Sequence, residues 1–248
     1  MERSRLVILV VAMAALICGC KEDTGRQVNK EKETSMSSTL QWLGHASFRI
    51  EHNGTVIYID PWKLKEARHD ATAVLVSHSH YDHYSADDIA KVSNAPTKLI
   101  ASADVIREQG QGEAIGAGQT IELDGASVTG VASYNPNKPF HPKANGWLGF
   151  VIEIDSTRIY YAGDTDMTEE MKALTDIDLA LLPVGGNYTM DSKEAAEAVG
   201  YFKPKRAVPY HWGDIVGSQS DANGFAEKAQ CEVTVLKPGE TFDLMTAR

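Results

Sequence analysis

Cysteine is scarce in this chain: its 248 residues include three, Cys18, Cys20 and Cys231. Two of them fall within the first twenty residues, so no paired spacing announces a disulfide framework. Stability must come largely from packing. Runs of positive charge are also missing. Lysine and arginine number 24 against 34 acidic residues, a formal net charge of −10. With no basic stretch to track a phosphate backbone, nucleic acid is excluded as the expected substrate. No internal repeat of solenoid length is visible. What is present is ordinary: 43% hydrophobic and 23% charged residues, enough apolar material for one sizeable globular domain.

The N-terminus stands apart from that domain. Arg3 and Arg5 precede an apolar run from Leu6 to Ile17, shorter than the roughly 20 residues a spanning helix needs. This is the layout of a secretory signal. Ile17-Cys18-Gly19-Cys20 resembles a bacterial lipobox, which implies removal of residues 1–19 and lipidation of Cys20. The alternative is an uncleaved membrane anchor; both place the domain in the cell envelope, outside the cytoplasm. Residues 20–38 are polar and charged, too poor in apolar surface to offset the entropy of ordering, and read as a flexible tether. The domain is then 39–248. Cys231, beside the alternating Glu232-Val233-Thr234-Val235, reads as a packing residue.

Short β-rich runs alternate with helical patterns through the domain. Ser47 to Glu51 and Val56 to Ile59 flank Asn53-Gly54, a strong hairpin signal. Ala73 to Val76 and Lys98 to Ala101 read as buried strands, with a helix between them opening at Ser85 and running to about Val92. Thr120 to Leu123, Ser127 to Ala132, Leu148 to Ile154 and Arg158 to Ala162 continue the strands around further turns. Leu179 to Leu182 leads into Gly185-Gly186. Asp191 with Glu194 caps a helix whose apolar stripe is Ala195, Ala196, Val199 and Phe202, stopped before Pro204. Ala207 to Pro209 feeds His211, and Val233 to Leu236 makes a last strand. The pattern by itself says mixed α/β.

The eight histidines are unevenly spread, and His78, His80 and His83 fall within six residues directly after a buried strand. In extended chain, residues two apart point the same way, so His78 and His80 can grip one ion together. Asp82 and His83 sit where the chain turns into the Ser85 helix and can face a second. Imidazole nitrogen and carboxylate oxygen are donors that Zn²⁺ accepts, and several must converge to replace its hydration.

His78-x-His80-x-Asp82-His83 resembles the signature of the metallo-β-lactamase superfamily. Trp42-Leu43-Gly44-His45 and Ile59-Asp60-Pro61-Trp62 are similar to the opening of its lactonase-like branch, which includes ascorbate-6-phosphate lactonases. The resemblance implies an α/β fold of αββα type, two mixed sheets face to face with helices outside and metals at one edge. It implies further ligands: His141 completing the first site, Asp164 bridging both ions, and His211 closing the second. A rim or structural role for His141 stays open, because its loop is long. Asp164 follows Gly163, where backbone can approach closely; the competing role of helix cap suits Thr165 or Asp166 better. A bridging carboxylate separates the chain from β-lactamases proper. His80 stands where the di-iron oxygen-reducing branch typically carries a carboxylate, so zinc hydrolysis is favoured, with manganese or iron as other occupants of such ligands.

Three residues stand behind these. His45 is a candidate for the site mouth or a structural histidine. Asp60, ending a strand, is placed to orient a ligand histidine. Tyr188 either donates a hydrogen bond to developing negative charge or simply packs. His52 and His69 read as surface residues. The expected chemistry is hydrolysis of a small ester or lactone by water that two ions deprotonate near neutral pH, with Asp82 also able to shuttle a proton. A phosphodiesterase on the same site is the near alternative. A tethered metal-containing binding protein is the distant one, disfavoured because all seven inferred ligands are intact. A homo-oligomer fits the superfamily's habits.

Overall fold

A computed structural model describes residues 38–247. The signal segment and Cys20 lie outside the described residues, as does the tether except Ser38, which is already buried in the first strand. Period-two burial builds the strands. In β1 (Ser38–Gly44) the buried residues are Ser38, Leu40 and Trp42, with their neighbours turned outward. There follow β2 (Ser47–His52), β3 (Thr55–Ile59), β4 (Ala73–Val76), β5 (Lys98–Ala101), β6 (Glu113–Ala114), β7 (Thr120–Leu123), β8 (Ala126–Ala132), β9 (Leu148–Ile154), β10 (Thr157–Tyr161), β11 (Leu179–Pro183), β12 (Arg206–Tyr210), β13 (Glu232–Val233) and β14 (Thr241–Asp243). They form two seven-stranded mixed sheets, ordered β14-β1-β2-β3-β4-β5-β6 and β13-β12-β11-β10-β9-β8-β7.

The central strands of the first sheet are apolar on both faces. Ile57, Ile59, Ala73 and Leu75 join the main core between the sheets. Val56, Tyr58, Val74 and Val76 point the other way, under α1 (Ala86–Val92) and α2 (Ala103–Gln109), whose Ile89, Val92 and Val105 complete a second cluster. The second sheet does the same. Tyr161 faces inward, 6.1 Å from Phe48, while Tyr160 lies 5.8 Å from Phe202 of α4 (Ser192–Phe202). The short α3 (Glu169–Lys172) and α5 (Gln219–Lys228) complete the described α-helices. This is the αββα sandwich the resemblance implied.

Several expectations need correction. The strand read at Val233–Leu236 pairs only over Glu232–Val233. The chain then turns at Gly239 and adds β14 to the first sheet, Leu40 opposite Phe242. Helix α3 is capped by Thr168, whose hydroxyl accepts the Met171 N–H, not by Thr165 or Asp166. His52 is buried, with Nε2 2.8 Å from the Asn53 amide nitrogen. His69 is exposed, as expected.

Candidate metal centre

The site is assembled by loops at the ends of β3, β4, β10 and β12. Asp60 follows β3 in a left-handed conformation (φ 43°) and is fully buried. Its Oδ1 accepts the Ser77 N–H at 2.7 Å; its Oδ2 accepts the Ser77 hydroxyl at 2.5 Å, the Tyr161 hydroxyl at 2.6 Å and His83 Nδ1–H at 2.6 Å. This carboxylate thereby fixes the start of the His78–His83 loop and sets the His83 tautomer, leaving His83 Nε2 to face inward. Ser77 extends the chain: with its hydroxyl proton given to Asp60, its oxygen accepts from His78 Nδ1, 2.9 Å away, and His78 Nε2 is left free of a proton.

Two groups of donors converge. His78, His80 and His141 form one; Asp82, His83 and His211, with His45 beside them, form the other. In each group the donor atoms lie within 4.8 Å of one another. Asp164 stands between the groups. Its Oδ2 is 3.3 Å from His141 Nε2 and 3.1 Å from His211 Nε2, and its Oδ1 is 3.2 Å from His83 Nε2. Asp60, His78 and His83 also lie close enough to suggest a third grouping. Asp60 is already occupied by four hydrogen bonds, however, so it orients rather than ligates.

Glycine makes the approach of Asp164 possible. Gly163 has φ +68°, and a Cβ there would run into the Leu148 carbonyl of β9. Gly185 does the same for the second site, since a Cβ would strike the His211 carbonyl.

Whether these residues suit a metal is decided by what they otherwise lack. His83 Nε2, His141 Nε2, His211 Nε2 and Asp164 Oδ1 are buried without hydrogen-bond partners. Orphaned polar atoms in a native interior are rare, and a cluster of them aimed at one space calls for an ion. A nitrogen-rich set with carboxylates matches zinc and is open to manganese or iron. The electrostatics agree. Burial, reinforced by His83, pushes His78 well below the usual histidine range, so its imidazole is neutral and a competent donor. Burial opposes charge on Asp164, yet His211 and His83 hold its carboxyl well below the usual range. Burial likewise opposes charge on His83, but Asp164 and Asp60 outweigh it and raise its affinity for positive charge. A bound cation would compete with any proton at this site.

The remaining candidates fall into place by position. His141 is buried, its Nδ1 2.7 Å from Asn135 Oδ1, which turns Nε2 toward Asp164. Tyr188 lines the cavity over the centre, its ring 4.8 Å from Phe140. His45 does not reach the mouth. It is buried behind the site, Nε2 donating to Asp82 Oδ2 at 3.0 Å and ring centroid 4.2 Å from that of His211. Asp166 takes no part in the centre and pairs with Lys138 at 2.6 Å. The 135–146 loop contributes Phe140 and His141 to this cavity, while 63–70 lines a separate surface cavity.

Sequence reasoning missed Ser77 and two supporting residues more distant in the chain. Trp147 packs its indole 4.9, 4.7 and 5.6 Å from the rings of His78, His80 and His141, and its Nε1–H is held by Asp104 Oδ2 at 2.7 Å. Asn135 holds both the N–H and the ring of His141 and donates to the Tyr188 carbonyl at 3.0 Å. Neither lies within a metal-binding spacing, so nothing local distinguished them.

Comparison with known proteins agrees with this geometry. Residues 39–211 match the family described as the Beta-lactamase superfamily domain. A UPF0173 metal-dependent hydrolase from Anaeromyxobacter sp. (strain K) is 35% identical over 235 residues, covering 81% of this chain and 85% of the relative. Another from Pyrococcus abyssi is 35% identical over 225 residues, covering 83% and 99%. The solved structure of Igni18, a metallo hydrolase from Ignicoccus hospitalis, superposes with a TM-score of 0.69 at 27% identity, covering 83% of this chain and 97% of that one. With its histidine and aspartate cluster set between two seven-stranded sheets, the chain belongs to the metallo-β-lactamase superfamily, among its UPF0173 metal-dependent hydrolases.

Proposed function

We propose that this hydrolase works with two divalent cations, zinc foremost, and cleaves small-molecule esters or lactones. His78, His80 and His141 would hold one ion and Asp82, His83 and His211 the other, with Asp164 shared. The observation that carries this is the convergence of orphaned, buried donor atoms on both sides of one carboxylate, at the floor of a cavity of about 280 Å³. When bound, such ions supply Lewis-acid activation of water and of the scissile carbonyl.

The chain's own residues do the rest. Asp60, Ser77 and Asn135 fix the ring orientations so that nitrogens rather than N–H groups face inward. Asp82, held by His45, keeps one carboxylate at the water's side of the cavity, where it can pass the water's proton to the leaving oxygen. Tyr188 brings a hydroxyl into the wall, available to a carbonyl oxygen as it gains charge. The balance is simple: the carbonyl carbon gains the water oxygen, the ester C–O bond breaks, and one proton moves to the alcohol.

The lactonase-like reading favours carbonyl over phosphoryl substrates, and a panel decides it. Zinc-loaded protein should turn over lactones or esters, lose activity to a chelator, and lose at least about 10³-fold in Asp164→Ala, as removal of a group acting at the transition state does. Turnover confined to phosphodiesters, or full activity in stripped protein, would overturn the reading. The lipobox adds a location: the domain is held at a bacterial membrane through Cys20. Membrane fractionation should find the wild-type chain in the pellet and Cys20→Ser in the supernatant; equal partitioning would argue against the anchor.

A further inference from the structure

The cavity over the centre has two kinds of wall. Its floor is made by the histidines and aspartates of the site; the remainder is Tyr81, Phe140, Tyr188 and Ile215. Among the described residues no lysine or arginine lines it. Nearby cations are engaged elsewhere. Lys138 holds Asp166 at 2.6 Å and the Thr189 carbonyl at 2.7 Å; Lys143 holds Glu170 at 2.8 Å; Lys63 holds Asp214 at 2.9 Å. Four large hydrophobic side chains are exposed among the described residues, and two of them, Tyr81 (69%) and Phe140 (39%), belong to this mouth. Apolar surface left in water at the rim of a polar floor marks a binding wall.

Size narrows the occupant. A dry apolar cavity of about 150 Å³ takes one benzene, so 280 Å³ has room for one ring and a reacting group. Charge narrows it further. A distal phosphate or carboxylate wants an arginine or lysine; here it would surrender hydration against aromatic faces with no cation to meet it.

Resting on the proposed hydrolysis for its reacting group, we infer that the substrate carries an uncharged, apolar non-reacting part of about one aromatic ring. That part seats against the Phe140–Tyr188 pair, whose ring centroids are 4.8 Å apart, with Tyr81 and Ile215 completing the wall. Phosphorylated sugars of the kind suggested by the ascorbate-6-phosphate lactonases are then poor substrates, lacking a cation to meet the phosphate.

Binding rather than turnover tests this. Purified, zinc-loaded full chain is titrated calorimetrically with acetohydroxamate, phenylacetohydroxamate, and the latter carrying a para-carboxylate. The phenyl compound should bind at least about tenfold more tightly than the methyl one, the scale expected for burying a ring, and the para-carboxylate should erase that gain. Ile215→Ala, four residues from His211, and Phe140→Ala should each shrink the phenyl advantage to within about threefold, with zinc content measured alongside. Equal affinity for all three, tighter binding of the carboxylate, or no binding of any would overturn the inference. Discrimination among hydroxamates with no ester turned over would sink the ester and lactone reading and leave this one standing; turnover indifferent to the ring does the reverse.

Discussion

Asp60 takes four hydrogen bonds at a point where no ion needs to touch it. Its work is to choose which nitrogen of His83 faces the centre and to tie Tyr161 of the second sheet to Ser77 of the first. Asp60→Asn keeps the volume but replaces one acceptor with an NH₂ donor. An NH₂ in place of Oδ1 faces the Ser77 N–H; in place of Oδ2 it faces His83 Nδ1–H and the Tyr161 and Ser77 hydroxyls together, and the imidazole loses its fixed tautomer. Outer-shell losses of this kind cost about 10–100-fold in metal affinity. Competition against a chromophoric chelator should show that drop for zinc; unchanged affinity would mean that His83 is oriented by packing alone. Residues of this rank were unevenly legible. Asp60 could be suspected because it ends a strand beside a recognised motif. Asn135 and Trp147 could not, since their roles exist only after the 135–146 loop has folded back over His141.

Helix α4 is the element where sequence and structure agree most closely. Asp191 accepts the Lys193 and Glu194 N–H groups, both at 2.8 Å, and Glu194 accepts the Asp191 N–H at 2.9 Å. Its stripe of Ala195, Val199 and Phe202 is buried in the core. Asp191→Ala leaves two N–H groups without their acceptor and should cost about 1 kcal/mol, within the 0.5–2 range for such caps. Urea unfolding should register that as a lower midpoint at constant slope; no shift would mean that water replaces the cap at no cost. Strong periodicity with a cap made α4 readable, as the hairpin signal at Asn53-Gly54 made β2 and β3 readable. The elements that escaped lack that periodicity. α2 buries only Val105. α5 runs through Asn223 and Gly224 and buries Ala222 and Phe225. β14 is three residues long and exists because β1 offers it an edge. The site followed the same rule: the contiguous His78–His83 cluster was readable from spacing, whereas His141, Asp164 and His211 needed the family resemblance to join it.

At the scale of the whole molecule, the centre is a clamp between halves. His78, His80, Asp82 and His83 follow β4 of the first sheet, whereas Asp164 and His211 follow β10 and β12 of the second, and His141 precedes β9. Pulling the sheets apart would therefore break up both proposed ligand sets at once. An unfolded chain offers no such convergence, so ions bound to the folded state shift the equilibrium by mass action, by about 2.7 kcal/mol at a hundredfold excess over Kd. For a domain of this length each kcal/mol moves Tm by about 2–4 °C, which predicts a zinc-dependent rise of about 5–10 °C. Calorimetric scans of stripped and reloaded protein should show the rise and its reversal by chelator. Asp164→Ala should show a smaller rise, since the shared carboxylate contacts donors from both sets. A Tm indifferent to zinc in the wild type would count against ions spanning the two sheets, whatever the activity.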